Sequence, residues 1–214
     1  MSTFPTNPAL DRRSQRTRDA LRGALVDLIA ERGWDDITVQ DVCDHANIGR
    51  STFYSHYTGK DALLVGGLED LQAGLQRQAQ ARAASAAGAD AVTGFGFVLG
   101  LIEHAHEQRK IFRGLIGRRS GHVVHQRFRE MVLRLVHDEL PQSAQGALPR
   151  DAAARWLSAA FVELLSWWVE QATPMPTTEL ETLFIELAQP VLRANRLSNS
   201  KGTDTINRDC PLGN

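Results

Sequence analysis

Apolar residues recur at helical spacing along almost the whole chain, and no stretch alternates with the period of two expected of a half-buried strand. Over 16–32, Leu21, Ala24, Leu25, Leu28 and Ile29 form one stripe, and Gly33 fits the left-handed position past the end of such a helix. The spacing predicts further helices over 58–87 (Leu63, Leu64, Leu68, Leu71, Leu75), 90–108 (Val92, Val98, Ile102), 109–117 (Ile111, Ile116) and 121–140 (Val124, Met131, Leu135). The segment 149–172 is apolar on more than one face, so it must be buried on more than one side. A last helix is predicted over 178–195, with Pro190 bending its end. The polar ends, 1–13 and 196–214, show no period and read as disordered tails, and 79–91 is alanine-rich, then loosened by Ser85 and Gly88. Gly94, Gly96 and Gly100 do not form a phosphate-loop spacing and follow no strand; small residues for close helix packing explain them better. The expected fold class is all-α, with a small N-terminal unit leaning on a larger helical body.

The stretch 38–60, TVQDVCDHANIGRSTFYSHYTGK, breaks this run of long helices. Thr38 with Asp41 has capping-box spacing, and Ile37 with Val42 has the spacing of a hydrophobic staple. Asn47 and Gly49 tolerate the backbone of a tight turn. A second short helix then starts near Arg50. It carries Arg50, Ser51, Thr52, Tyr54, Ser55 and His56 around one apolar anchor, Phe53. A helix of this length is not stable alone, and a polar face with no internal use suits a surface that meets something polar and grooved. Two short helices and a turn in this arrangement are a helix-turn-helix, whose second helix enters the DNA major groove.

The wording of 46–64, ANIGRSTFYSHYTGKDALL, resembles the TetR-type transcriptional regulators. The signature of that family places a threonine, an aromatic, a tyrosine, a histidine and a lysine at fixed spacing. Asn47 and Ile48 stand where glycine and valine are usual, Gly49 where the capping serine is, and Tyr57 where phenylalanine is. The resemblance is strong over about 16–64; beyond that it lies only in the helical pattern. It implies a helix-turn-helix unit at 14–60 and a regulatory and dimerisation body at 61–195.

The DNA-facing candidates are Thr38, Arg50, Ser51, Thr52, Tyr54, His56, Tyr57 and Lys60. Arg50 can pair with guanine edges, and Arg50, Ser51 and Tyr54 are the candidates for base choice. Positions matching Thr38, Tyr57 and Lys60 usually hold phosphate in the family. Tyr54 and His56 can equally serve the fold. The basic run Arg12, Arg13, Arg16 and Arg18 is either a phosphate-touching arm or a solvated flank.

One reading unit covers too few bases, and surplus apolar surface on the last two helices points to a homodimer seam, as the resemblance also implies. The expected interface is Trp156, Leu164, Trp167, Leu180, Leu183, Phe184, Leu187 and Val191. The implied function is repression from a palindromic operator in double-stranded DNA, relieved by a small-molecule effector bound in the body. Phe95, Leu99, His104, Phe112, Phe128, Phe161, Leu165 and Trp168 are the candidate lining. The alternative is a DNA-binding dimer controlled by a protein partner, with those residues simply core.

Charge neither adds to nor removes this reading. Net charge is −1, and the first sixty residues balance eight basic against eight acidic side chains, so DNA binding rests on the motif and not on bulk charge. Two cysteines, Cys43 and Cys210, make no disulfide framework and suit a reducing cytosol; no secretory signal and no membrane-length apolar run is seen, so a cytoplasmic location is expected. His104 and His106 point to different helix faces. His122 and His125 have no carboxylate or cysteine partners at metal spacing, and no catalytic motif occurs. No enzyme activity, cofactor or metal is expected.

Overall fold

Pro8 opens the first helix, a position where its missing N–H costs nothing. The computed structural model describes residues 8–85, 95–116, 122–140 and 148–196. Among these every regular element is helical: α1 (Pro8–Arg32), α2 (Val39–Ala46), α3 (Arg50–His56), α4 (Lys60–Ser85), α5 (Gly96–Glu107), α6 (Arg109–Ile116), α7 (His122–Glu139), α8 (Arg150–Glu170) and α9 (Thr177–Arg196). The expectation of disorder up to residue 13 is corrected from Pro8 onward, since α1 runs unbroken through Arg12 and Arg13. The expectations for the C-terminal tail beyond Arg196, for the alanine-rich stretch beyond Ser85 and for Gly94 lie outside the described residues. No helix among the described residues is long and apolar enough to cross a membrane.

Helices α1 to α3 form a head around Leu21, Leu25, Leu28, Trp34, Ile37, Val42 and Phe53, all buried. Gly33, at φ 82°, ends α1 with its N–H on the Ile29 carbonyl, a backbone conformation that glycine adopts without a Cβ penalty. The long α4 leaves the head beside α1 and runs into the body, where it packs on α5 and α7. A Cβ on Gly96 would lie 3.0 Å from Ala79 Cβ, and one on Gly100 3.3 Å from Leu75 Cδ2, so these glycines do let α5 cross α4 closely. The Arg82–Glu103 ion pair at 2.7 Å fastens the same crossing.

The body core is aromatic. Phe161 meets Phe184 at 4.9 Å and Phe97 at 5.8 Å, both edge-on, and Phe112 meets Phe128 at 5.9 Å in the same way. Helix α6 joins body to head. On one side Arg109 Nε and Arg113 Nε both donate to the Val169 carbonyl at the end of α8, at 3.0 and 2.6 Å. Their guanidinium ends donate further to Gln171 O, where cations also suit the negative end of the helix dipole. On the other side Gly114 lies against the backbone of Ala30 in α1, where an added Cβ would come within 2.8 Å of Ala30 Cα.

Candidate nucleic-acid interface

The turn between α2 and α3 is built from local chemistry. The Thr38 hydroxyl accepts from Asp41 N–H at 3.2 Å, and the Asp41 carboxylate accepts from Thr38 N–H at 2.8 Å, closing the capping box. The Thr38 hydroxyl also donates to that carboxylate. These bonds, with Arg32 nearby, hold the Asp41 carboxyl below its ordinary range. Asn47 takes the left-handed position at φ 53° that ends α2. Gly49 precedes α3 without a side-chain cap, so the start of α3 is fixed instead by Phe53, which is fully buried. Burying that ring supplies about 1.5–3 kcal/mol, and it is the one buried residue of the seven-residue helix.

Arg50, Ser51, Thr52 and Tyr54 are therefore all exposed on α3. Tyr54 stands edge-on to Phe53 at 5.4 Å, and the Arg50 guanidinium carbon lies 5.8 Å from the Tyr54 ring centre. The ring thus pre-positions the arginine without using up its donors. His56 is half-buried, its ring 6.4 Å from that of Tyr57.

Of the expected phosphate holders, Lys60 and Tyr57 are half-buried with their polar ends turned into the head, while Thr38 is exposed. The Lys60 ammonium donates to Trp34 O and Ile37 O, both at 2.9 Å, and sits 4.5 Å from the Trp34 ring centre. It clamps the α1–α2 turn. Tyr57 is half-buried, and its hydroxyl is buried near Gly66 and Arg22. Thr38 has its hydroxyl proton on Asp41. Lys60 and Thr38 thus place the reading helix by shaping what lies behind it.

The expected seam is a groove of about 780 Å³ between α8 and α9, lined by Trp156, Leu164, Trp167, Phe184, Leu187 and Val191. Trp156 is 51% exposed, Trp167 45% and Leu187 59%, which is unusual for such large apolar side chains. Leu180 is corrected to core, being 0% exposed, and Leu183 does not line the groove. Ala160, Glu163, Ala188 and Pro190 complete the lining and were not anticipated.

Most residues of the expected pocket lining are packed in the core. Phe95, Phe128, Phe161, Leu165 and Trp168 are buried against neighbours, with Trp168 Nε1 donating to Met175 O at 2.9 Å; Leu99 is half-buried and lines no cavity described here. His104 and Phe112 line a cleft of about 280 Å³ between α1, α4 and the α5–α6 corner. Burial lowers the His104 pKa, so its imidazole is uncharged at neutral pH. Glycines inside helices, Gly23 and Gly67, also line this cleft, and were the sequence signal for it. No group of three His, Cys, Asp or Glu among the described residues is placed to hold a metal ion.

Residues 21–65 match the family described as "Bacterial regulatory proteins, tetR family". An uncharacterized HTH-type transcriptional regulator, YxbF, of Bacillus subtilis (strain 168) is 46% identical over 56 residues, which is 26% of this chain and 15% of that protein. The body is matched in solved structures. A TetR transcriptional regulator from Streptococcus agalactiae 2603V is 28% identical with a TM-score of 0.59, over 84% of this chain and 97% of that one. NalD, the secondary repressor of the MexAB-OprM multidrug efflux pump in Pseudomonas aeruginosa, shares the fold at 17% identity and a TM-score of 0.59, over 83% of this chain and 96% of its own. The head thus carries the module matched by the tetR family of bacterial regulatory proteins, and the helical body shares its fold with a solved TetR transcriptional regulator.

Proposed function

We propose that the chain is a cytoplasmic repressor that binds a palindromic operator as a homodimer and releases it when a small molecule binds the body. Residues 14–60 act as the reading unit and 61–195 as the regulatory and dimerisation body. One observation carries the DNA reading: α3 buries Phe53 alone and turns Arg50, Ser51, Thr52 and Tyr54 to solvent. These four offer the donors and acceptors that base edges and phosphates take. The groove between α8 and α9 supports a two-fold mate, because Trp156, Trp167 and Leu187 are left exposed among the described residues. A two-fold pair sets its reading helices one DNA turn apart, about 34–36 Å, and so reads an inverted repeat.

Binding-site selection on random duplex DNA tests this directly. The wild-type chain enriches an inverted repeat, and Arg50→Ala relaxes preference at one position in each half-site by about 1–3 kcal/mol. A selection that enriches no sequence, or a repeat read equally well by Arg50→Ala, overturns the assignment.

A further inference from the structure

The cleft between head and body has an unusual make-up for a gap between packed helices. Its walls are almost wholly apolar, from Leu25, Leu63, Leu68 and Phe112, and two of its wall positions are glycines. One wall is α1 of the head; the others are α4 and the α5–α6 corner. At its polar edge, Arg22 has a buried Nε with no hydrogen-bond partner, while its charge is already met by Asp70 and by Asp19 at 3.6 Å. A second unsatisfied buried atom, the Tyr57 hydroxyl, lies nearby, since Gly66 adjoins both side chains. Buried polar groups are rarely left unpaired, and each that is asks for a partner. Arg22 lines the cleft and its Nε can only donate, so the group it lacks is an acceptor. Arg22 is already neutralised, so that acceptor need carry no charge. His104, on the opposite wall, presents an uncharged ring edge-on to Phe112 at 5.6 Å.

We propose that this cleft is an effector site for an uncharged, mostly apolar small molecule with a carbonyl or hydroxyl oxygen, and that its occupation loosens the grip on DNA. The regulatory half rests on the operator-binding function proposed above; the binding half does not. The volume, about 280 Å³, is at the small end of ligand cavities. It fits a compact bicyclic body, and anything larger must move α1 away from α4. A ligand acts only through its different affinity for the two arrangements, and this cleft changes shape whenever the head turns on the body.

The probe is Prodan, an uncharged naphthalene ketone whose emission shifts to the blue on leaving water. Titrated into the full chain without DNA, it gives saturable binding at one site per protomer. Gly23→Leu, whose new side chain enters open space beside the cleft, weakens that binding at least about tenfold, as does Val26→Phe. Gly23 is exposed on a helix, so its replacement favours folding, and an unchanged melting temperature in either variant establishes that the fold is kept. Trp167→Glu, in the α8–α9 groove and outside the cleft, keeps saturable Prodan binding at one site per protomer. No saturable binding, binding indifferent to both cleft variants, or binding lost in Trp167→Glu overturns the site. With the inverted repeat enriched by selection, saturating Prodan lowers wild-type DNA affinity about tenfold and leaves Gly23→Leu unaffected; equal affinity with and without Prodan overturns the regulatory half.

Discussion

Replacing Lys60 by methionine separates a clamp from a phosphate contact. Methionine keeps the apolar stem against Trp34 and removes only the ammonium, which holds Trp34 O and Ile37 O at 2.9 Å and faces the Trp34 ring at 4.5 Å. Hydrogen bonds to a charged group contribute about 1.5–3 kcal/mol each, and a cation over a ring about 0.5–1 kcal/mol. The site is half-buried, so water re-solvates part of what is lost, and the low end applies: about 3.5 kcal/mol in all. For a chain of this length each kcal/mol lowers Tm by roughly 2–4 °C, so Lys60→Met should melt roughly 7–14 °C below wild type. The salt dependence of DNA binding should keep its slope, because no phosphate partner has gone. A lysine that served only phosphate gives the opposite pair: stability within about 0.5 kcal/mol, and a slope shallower by about 0.9. Thermal denaturation and a salt titration of operator affinity, run on the same preparation, decide. An unchanged melt with a shallower slope refutes the clamp.

Gly114→Ala forces a methyl within 2.8 Å of the Ala30 backbone, which cannot yield as a side-chain tip can, and should cost about 1–3 kcal/mol in urea unfolding. Gly23→Ala, with nothing within 4 Å, should instead gain up to about 1 kcal/mol; equal effects would remove the argument for a tight α1–α6 crossing. Trp167→Glu should give folded monomers by light scattering, with weak operator binding, whereas Phe184→Glu should unfold, since Phe184 is 2% exposed and packed on Phe161; dimers that survive Trp167→Glu exclude the seam. The Asp41 carboxyl is lowered in the fold below its ordinary value of 3.8, chiefly by the Thr38 hydroxyl, so its contribution is full above that value and fades as pH falls through the lower, folded one. The stability gap between wild type and Asp41→Asn should therefore narrow on acidification below about pH 4, and a gap that stays constant down to about pH 2 would contradict the capping role.

The reading head was legible because its determinants are local. Thr38 pairs with Asp41 three residues on, Asn47 ends α2, and Phe53 anchors the short α3, so each acts within its own element and spacing encodes them. The surroundings of Lys60 and Tyr57 were not legible because they come from elsewhere in the chain: Lys60 meets Trp34 and Ile37 in the α1–α2 turn, and Tyr57 lies beside Gly66 of α4. A polar residue beside a DNA-reading helix looks the same in sequence whether it faces phosphate or a carbonyl behind the turn. The body was legible as helices but not as a cavity. A stripe such as Phe95, Phe128 and Phe161 announces burial, yet says nothing of whether the facing space holds another ring or none. Around Phe161 and Phe112 other rings pack against them. A cleft lies at the joint between head and body, where the signal was subtractive: glycines inside helices, which weaken the helix and leave room.

Helix α6 explains how two distant surfaces can act as one. Arg109 and Arg113 hold carbonyls at the end of α8, and Ser166 Oγ donates to Ile116 O at 3.2 Å, so α6 follows α8. Gly114 sits on the backbone of Ala30, so α1 follows α6. Neither link runs through long side-chain packing that could slide: one is charge-assisted bonding to main-chain carbonyls, the other is backbone on backbone. Sliding α6 along α8 breaks bonds of about 1.5–3 kcal/mol each. Moving α6 toward α1 is blocked by van der Waals contact. In the proposed dimer, α8 lines the seam, so the pose of α8 against its mate would set the angle of each α1, and with it the separation of the two α3 helices. The proposed effector cleft is bounded by α1, α4 and the α5–α6 corner, so it borders the same joint of α1 and α6. In the proposed mechanism seam and ligand bias the same element, as coupling between sites requires, and the ligand acts on the spacing of the reading heads through α1.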